Sequence, residues 1–268
     1  MSFSIAGKTA VVTGAANGLG LAIARHFAES GANVVFADRD EAKLERELGD
    51  IDSREGNVRS FAGDLREKLT VANLLSATID DFDRVDILVN ASRQMVAGDP
   101  LNSEDDAMEL LLQQNLLTGL RLSQIFARRM IHQAEGDEND GPAGSIINLS
   151  SIAARRTQPE LMAYSVSSAA MEQLTRSLAV ALAPHRIRVN AVAFGSVMSA
   201  SLRGALREDE DIRGEIIGHT PLSRIASPSE VAEVVQFLAS DGSGFMTGQV
   251  LTVDGGRTLV DPVEAAAH

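Results

Sequence analysis

Tyr164 is the only tyrosine in the chain, and its setting suggests proton-transfer chemistry. A tyrosine hydroxyl can exchange a proton with a substrate oxygen when a positive charge one helical turn away stabilises its ionised form. A free tyrosine has a pKa of about 10, so only about one in a thousand is ionised at pH 7. Here the position one turn further on is Ser168, which carries no charge. The stretch from Tyr164 to Ser168 therefore predicts an acid–base site that lacks its expected cation.

A glycine-rich turn near the start of the chain suits the binding of a pyrophosphate. It directly follows the β-branched run Thr9–Thr13 and precedes an alanine-rich amphipathic helix. Glycines there permit a tight turn and close backbone approach, and the free N–H groups of the helix then face the phosphates. A glycine-rich turn that holds no ligand is the alternative. The predicted cofactor contacts in this turn are Gly14, Asn17, Gly18, Leu19 and Gly20.

Asp38 ends the second apolar run, where the adenosine ribose of a dinucleotide would lie. A carboxylate there accepts hydrogen bonds from both ribose hydroxyls and repels a 2′-phosphate, which favours NAD(H) over NADP(H). Arg39 beside it argues for the opposite preference. Asp38 ranks first because the acid occupies the place of the hydroxyl, whereas an arginine can swing into solvent.

Short apolar runs alternate with helical patterns along the whole chain. This alternation is typical of βαβ units, which form a parallel sheet covered by helices on both faces. No linker or repeat divides the chain, so residues 1–268 are predicted to form one α/β domain with a doubly wound, seven-stranded Rossmann-type sheet. The predicted strands are Thr9–Thr13, 33–37, Val58–Ala62, 85–89, 145–149, 187–192 and Val250–Val253.

Longer helical patterns occupy 104–132 and 161–183 in the second half of the chain. Three less regular segments connect or follow the predicted elements. They are predicted to be a surface loop at 134–144, a mobile substrate lid at 199–220, and a flexible tail from about 258 to 268.

Composition excludes several classes of function. With 24 basic and 37 acidic residues the net charge is −13, so binding to nucleic acid or to an anionic membrane surface is not expected. The absence of cysteine rules out disulfides and thiolate ligands, and the five histidines lack ligand spacing, so no metal is predicted. No apolar run is long enough to span a membrane, and the cytoplasm is the expected location.

These features together resemble the short-chain dehydrogenase/reductase family from about Gly7 to Gly256. Ser151 precedes Tyr164 by 13 residues, which is the serine-to-tyrosine spacing of that family. The family's cofactor turn and its sixth and seventh strands are matched by Thr13-Gly14-x-x-x-Gly18-x-Gly20, Val189-Asn190-Ala191-Val192, Thr247-Gly248-Gln249 and Asp254-Gly255-Gly256.

The resemblance implies hydride transfer between nicotinamide C4 and a secondary alcohol or ketone. Tyr164 would then be the acid/base, Ser151 would hold the substrate oxygen, and Asn115 would support a chain of water molecules. Taken singly, each is also compatible with a purely structural role. The further cofactor contacts that the family implies are Asp64 and Leu65 at the adenine ring, Asn90 after the fourth strand, Tyr164 itself, and Gly195, Val197 and Ser199 after the sixth.

Three departures from the family pattern bear on the chemistry. Ser168 stands where the family has the lysine that lowers the tyrosine pKa and binds the nicotinamide ribose, and no lysine follows Lys68. Arg93 replaces a glycine that lets the backbone run close to the cofactor. Phe194 replaces a proline beside the nicotinamide. The pocket is therefore expected to differ from the family's as a whole.

Two functions remain open from the sequence. One is an NAD(H)-dependent oxidoreductase with weakened catalysis, in which Arg93, or less readily Arg155 or Arg156, supplies the missing charge. The other is an NAD-binding subunit or sensor that has lost efficient chemistry. A purely structural role without a cofactor is disfavoured by Asp38 and the intact glycines.

The family position of 199–220 predicts a lid over a small-molecule alcohol or ketone. Its apolar residues have partly helical spacing, which fits either an amphipathic helix packed on the body or a hydrophobic substrate pocket. Relatives associate through their long helices and last strand, so a homotetramer, or failing that a homodimer, is expected.

Overall fold

The structure is a computed structural model that describes residues 3–49, 56–135, 141–208 and 211–261. Its strands are β1 Thr9–Thr13, β2 Asn33–Asp38, β3 Val58–Ala62, β4 Ile87–Asn90, β5 Gly144–Ser151, β6 Ile187–Phe194 and β7 Val250–Val253. They form one parallel sheet in the order β3-β2-β1-β4-β5-β6-β7. The predicted doubly wound, seven-stranded sheet is confirmed.

The central strands are buried along their whole length because helices cover both faces of the sheet. Every residue of β1, β4 and β5 is buried. The helices are α1 Gly18–Glu29, α2 Glu41–Gly49, α3 Lys68–Phe82, α4 Ala107–Leu112, α5 Thr118–Gln133, α6 Met162–Leu182, α7 Ala200–Glu208, α8 Asp211–Gly218 and α9 Pro228–Ala239.

Two apolar cores hold the helices on the sheet. On one face α1 and α9 pack through Phe27 and Val235. On the other face α3, α5 and α6 pack through Leu74, Phe126 and Ala179. Full burial of a large apolar side chain stabilises a fold by about 1.5–3 kcal/mol, so these layers hold the ends of the strands in fixed relative positions.

Two predictions of local structure are corrected. The helix predicted over 104–132 begins at Ala107 and contains a wider π-helical turn at Gln113–Leu117, which separates α4 from α5. Such a turn aims side chains away from the regular helical rows and is frequent at functional sites. The segment 199–220, predicted to be irregular, contains α7 and α8, because its apolar residues recur at helical spacing.

Strand ends differ less from the prediction. β5 and β6 continue to Ser151 and Phe194, and β4 starts at Ile87. Of the predicted loop, residues 136–140 lie outside the described residues, and so do residues 262–268 of the predicted tail. Within the part of the chain that is described, no helix has both the length and the apolarity required to cross a membrane.

Candidate active site

A groove of about 400 Å³ crosses the carboxyl ends of the central strands. It is centred where β1 pairs with β4, the point at which the strand order reverses direction. Parallel α/β sheets bind ligands at this point because the loops diverge there and leave a crevice. The predicted cofactor residues that line the groove are Gly14, Asn17, Gly18, Leu19, Gly20, Asp38, Asp64, Leu65, Val197 and Ser199.

The three glycines of the first turn do different work. A Cβ on Gly14 would lie 2.8 Å from the Cα of Ser92, and a Cβ on Gly20 would overlap the carbonyl oxygen of Gly14. Both are therefore needed for chain packing. Gly18 has a φ of +58° and open space where its Cβ would be. Since Gly18 also lines the groove, this space fits a phosphate group that approaches the backbone.

Thr13 joins the glycine turn to the loop after β4. Its Oγ1 accepts hydrogen bonds from the N–H groups of Ala91 and Ser92, both at 3.0 Å. The same hydroxyl donates to the carbonyl oxygen of Val89 at 3.3 Å. These bonds fix the start of the loop that carries Arg93.

The acidic residues of the groove have fixed orientations. The carboxylate of Asp38 accepts hydrogen bonds from the backbone N–H groups of Ala16 and Asp40, each at 3.1 Å. The Arg66 guanidinium holds the pKa of Asp64 below its usual value, because its Nε donates to both carboxylate oxygens at 2.9 and 3.0 Å. Both acids lie at the end of the groove formed by β2 and β3, where an adenosine would fit.

Tyr164 lies in the first turn of α6 and is 6% exposed. Its ring belongs to an apolar cluster with Leu111 of α4 and Ala153 of the turn after β5. Ser151 ends β5, and its Oγ accepts a hydrogen bond from the N–H of Ala153 at 3.2 Å. The structure therefore brings Tyr164 and the turn that begins at Ser151 together.

Asn115 makes contacts that the sequence did not reveal. It lies in the π-helical turn, where its Oδ1 accepts a hydrogen bond from the N–H of Gln94 at 2.8 Å. Its Nδ2 donates to the carbonyl oxygen of Gln94 at 2.9 Å and to Oγ of Ser167 at 3.3 Å. Asn115 thus holds the backbone next to Arg93 against α6, and its role in a water chain stays a prediction.

The Arg93 guanidinium lies between two aromatic rings. Its Cζ is 4.7 Å from the ring centroid of Tyr164 and 5.0 Å from that of Phe194. Nη1 donates to the carbonyl oxygen of Ser150 at 2.6 Å, and Nη2 donates to Oγ of Ser168 at 3.4 Å. Burial lowers the pKa of the Arg93 guanidinium, but an arginine remains protonated at any physiological pH. A cation is therefore held against Tyr164.

The other two candidate cations have different partners. Arg155 pairs with Glu172 at 3.3 Å and donates to Oγ1 of Thr252 at 2.8 Å. Arg156 donates to the carbonyl oxygen of Thr258. Of the three arginines proposed from the sequence, Arg93 is the one that contacts Tyr164.

Several groove residues were not predicted as site residues. Gln94, Gln114 and Leu149 line it together with Arg93. Their positions after β4, in the π-helical turn and near the end of β5 follow from the rule that ligands bind at the carboxyl ends of strands. Conversely Asn90, which was predicted to contact the cofactor, is buried and donates to Asn148 at 2.8 Å.

Comparison with known proteins agrees with this geometry. A family model described as enoyl-(acyl carrier protein) reductase matches residues 14–258. A curated relative, the cis-4-hydroxycyclohexanecarboxylate dehydrogenase of Sinomonas cyclohexanicum, is 37% identical over 97% of this chain and 100% of its own length. The chain belongs to the short-chain dehydrogenase/reductase family, whose members bind a nicotinamide cofactor.

Two solved structures place the chain among oxidoreductases of this fold. A gluconate 5-dehydrogenase from Burkholderia cenocepacia J2315, in complex with NADP and tartrate, is 30% identical with a TM-score of 0.85, over 97% of this chain and 98% of that one. A short-chain type dehydrogenase/reductase from Mycobacterium marinum is 28% identical with a TM-score of 0.85, over 97% and 100%.

Proposed function

We propose that this protein is an NAD(H)-dependent oxidoreductase that transfers a hydride between nicotinamide and a secondary alcohol or ketone. In this proposal Arg93 supplies the positive charge beside Tyr164 that other family members take from a lysine, at whose position Ser168 stands. The observation that carries the proposal is the guanidinium held 4.7 Å from the Tyr164 ring centroid and 3.4 Å from Oγ of Ser168. The cation thus reaches the space into which a longer side chain at 168 would extend.

The residues of the site have distinct tasks in this reaction. A bound nicotinamide cofactor would supply or accept the hydride. The Tyr164 hydroxyl exchanges the proton with the substrate oxygen, and the Ser151 hydroxyl hydrogen-bonds that oxygen. The Gly18 turn and Asp38 hold the pyrophosphate and the adenosine ribose.

Arg93 stabilises the phenolate that forms at Tyr164 during the reaction. Unit charges about 6 Å apart attract each other by roughly 2–3 kcal/mol at an effective dielectric constant of about 20. The guanidinium lies over the ring face. We therefore expect weaker stabilisation than from an ammonium next to the phenol oxygen, and slower catalysis than in relatives with the lysine.

Replacing Arg93 tests this role. We expect Arg93→Ala to lower kcat at pH 7 by roughly 10- to 100-fold, the range that the loss of about 1.4–2.8 kcal/mol produces. Arg93→Lys should recover most of the loss because it keeps the charge. The rate would be followed by dinucleotide absorbance with a panel of secondary alcohols and ketones.

The control is Arg156→Ala, which removes an arginine that does not contact Tyr164. It should leave kcat within about twofold of the wild-type value. Unchanged turnover in Arg93→Ala, together with lost turnover in Tyr164→Phe, would show that Arg93 does not supply the charge.

Asp38 supports NAD(H) as the cofactor. Its carboxylate is fixed by two backbone N–H groups, and a 2′-phosphate beside it would be repelled. We expect Asp38→Ala to weaken NAD binding by about tenfold. The preference for NAD over NADP should shrink or reverse, since Arg39 also lines the adenosine end of the groove. Calorimetric titration of both dinucleotides would measure the change. Asp40→Ala is the matched control, and a wild-type protein that bound NADP more tightly would contradict the proposal.

A second candidate is an NAD-binding protein without efficient catalysis. The supporting observation is that the Arg93 guanidinium occupies the space between the rings of Tyr164 and Phe194. If that guanidinium stayed in place on cofactor binding, it would keep the substrate away from Tyr164. Steady NADH formation from a secondary alcohol, lost in Tyr164→Phe, would eliminate this candidate.

The proposed substrate is a small secondary alcohol or ketone, and the proposed assembly is a homotetramer. The relative from Sinomonas cyclohexanicum is named for a hydroxylated ring acid, which supports a secondary alcohol or ketone here. The segment 199–220, with α7 and α8, is proposed as the lid over the substrate.

Val166 and Val180 of α6 are 43% and 78% exposed, which supports association through this helix and a homotetramer. Light scattering that gave a stable monomer would refute the tetramer.

A further inference from the structure

We infer that Arg93 also selects the redox form of the cofactor, so that the groove binds the reduced dinucleotide more tightly than the oxidised one. The protein would then work as a reductase of ketones. This inference rests on the proposed function. It adds which redox form of the dinucleotide binds more tightly, and hence the direction of the reaction.

The two forms of the cofactor differ in charge only at the nicotinamide ring. The adenosine, the pyrophosphate and both riboses are the same in each form, whereas the ring carries one positive charge when oxidised and none when reduced. Charges near the adenosine and the phosphates therefore act almost equally on both forms. Only charges close to the ring can discriminate between them.

Arg93 is placed close to that ring by the chemistry of the reaction. A hydride and a proton must reach the adjacent carbon and oxygen of one carbonyl group, so the nicotinamide has to lie beside Tyr164. Arg93 and Phe194 line the groove, and the Arg93 guanidinium lies over the Tyr164 ring. The oxidised ring would therefore meet a positive charge at this end.

No acid neutralises the guanidinium within the described residues. Its hydrogen-bond partners are the carbonyl oxygen of Ser150 and the hydroxyl of Ser168. Glu172, which accepts from the Ser150 hydroxyl, is already paired with Arg155 and Arg176. The charge of Arg93 is thus left to act on whatever lies next to it.

The acids of the groove lie at its other end. Asp38 and Asp64 are at the strands β2 and β3, and Asp64 is paired with Arg66. They cannot offset the repulsion between Arg93 and an oxidised ring. Because the guanidinium is enclosed by two aromatic rings, solvent screens this repulsion less than at an open surface.

Two effects of the Arg93 charge favour reduction of a carbonyl substrate: it repels the oxidised nicotinamide ring, and it stabilises the Tyr164 phenolate. The carbonyl carbon accepts the hydride and the carbonyl oxygen accepts the Tyr164 proton, so the ketone becomes a secondary alcohol while the reduced nicotinamide is oxidised. Tyr164 is left as a phenolate that Arg93 stabilises, and solvent later returns the proton. Arg93 would then repel the oxidised ring of the cofactor and so would speed the release of the oxidised dinucleotide.

The test is a comparison of binding constants. NADH, NAD⁺ and ADP-ribose, which lacks the nicotinamide, would be titrated by calorimetry into the wild-type protein and into R93Q, R93M, R93K and the control R156Q. We expect the ratio of the dissociation constants of NAD⁺ and NADH to fall by about tenfold or more in R93Q and R93M, the equivalent of about 1.4 kcal/mol. R93K and R156Q should keep the wild-type ratio.

ADP-ribose separates the possible failures. Its affinity should change by less than about threefold among the variants, because it has no ring beside Arg93. If R93Q and R93M kept the wild-type ratio while all three ligands still bound, the inference would be wrong and the proposed function would stand. If the wild-type protein bound none of the three ligands, the proposed function would fail and the inference with it.

Discussion

Tyr164→Phe is expected to reduce turnover by about 10²- to 10⁴-fold, the usual contribution of a positioned acid or base. The substitution removes one oxygen atom and keeps the ring. The ring packs against Leu111 and Ala153 and lies beneath the Arg93 guanidinium, so these contacts should survive. The free energy of unfolding and the affinity for the dinucleotide should therefore change little. Initial rates, thermal unfolding and calorimetric titration would measure the three quantities.

Ser165→Ala is the matched control for Tyr164→Phe. Ser165 is the next residue on α6, it is buried, and its hydroxyl has no hydrogen-bond partner among the described residues. Its removal should leave kcat within about twofold of the wild-type value. Comparable rates in Tyr164→Phe and the wild-type protein would mean that another group handles the proton, and the proposed mechanism would be abandoned.

The second large effect is expected from substitution of Gly20, which is compared with Gly18 in the same glycine-rich turn after β1. Gly20→Ala should destabilise the protein by about 3 kcal/mol or more, because its Cβ would overlap the backbone carbonyl of Gly14. For a chain of this size that corresponds to a fall of roughly 6–12 °C in Tm. Gly18→Ala should cost only about 1–2 kcal/mol, since its Cβ meets open space and the penalty comes from the positive φ.

Gly18→Ala is also expected to lower the affinity for the dinucleotide directly. The Cβ of Gly18→Ala enters the groove where the phosphates are proposed to lie, so dinucleotide affinity should fall by at least about tenfold. Gly204→Ala, in α7, is the control; its Cβ meets nothing within 4 Å, so it should leave the affinity near the wild-type value and should not lower Tm, because alanine favours a helix more than glycine does. Full affinity in Gly18→Ala would mean that the turn does not hold the phosphates.

Asp38 favours NAD and Arg39 favours NADP, and the sequence and the fold each supply part of the evidence for choosing between them. Both residues line the groove, but the Asp38 carboxylate is fixed by the N–H of Ala16 in the glycine turn. Arg39 is exposed. The sequence ranked the acid over the arginine because the acid occupies the place of the ribose hydroxyl, and the preference for NAD that this ranking implies stays a prediction. The hydrogen bond from Ala16 required the fold.

Asn115 and the segment 199–220 mark where sequence reasoning was incomplete. Helical periodicity correctly predicted helix around Asn115, but a π-helical turn depends on how α4 and α5 pack, and periodicity does not report it. The charged residues of 199–220 led to the prediction of an irregular segment, although the partly helical spacing of its apolar residues already fitted the helices α7 and α8 that it contains.

The amino-acid sequence by itself determined the sheet, the glycine turn and the acids at the strand ends, because these depend on residue types at short, regular spacings. It also revealed that residue 168 carries no charge. Only the tertiary structure decided which cation lies beside Tyr164. Arg93, Ser150, Tyr164 and Phe194 come from four separate elements, and their contact depends on the packing of those elements across the sheet. The uncharged residue 168 in one helix and the charged residue 93 in a distant loop come into contact only when the chain is folded.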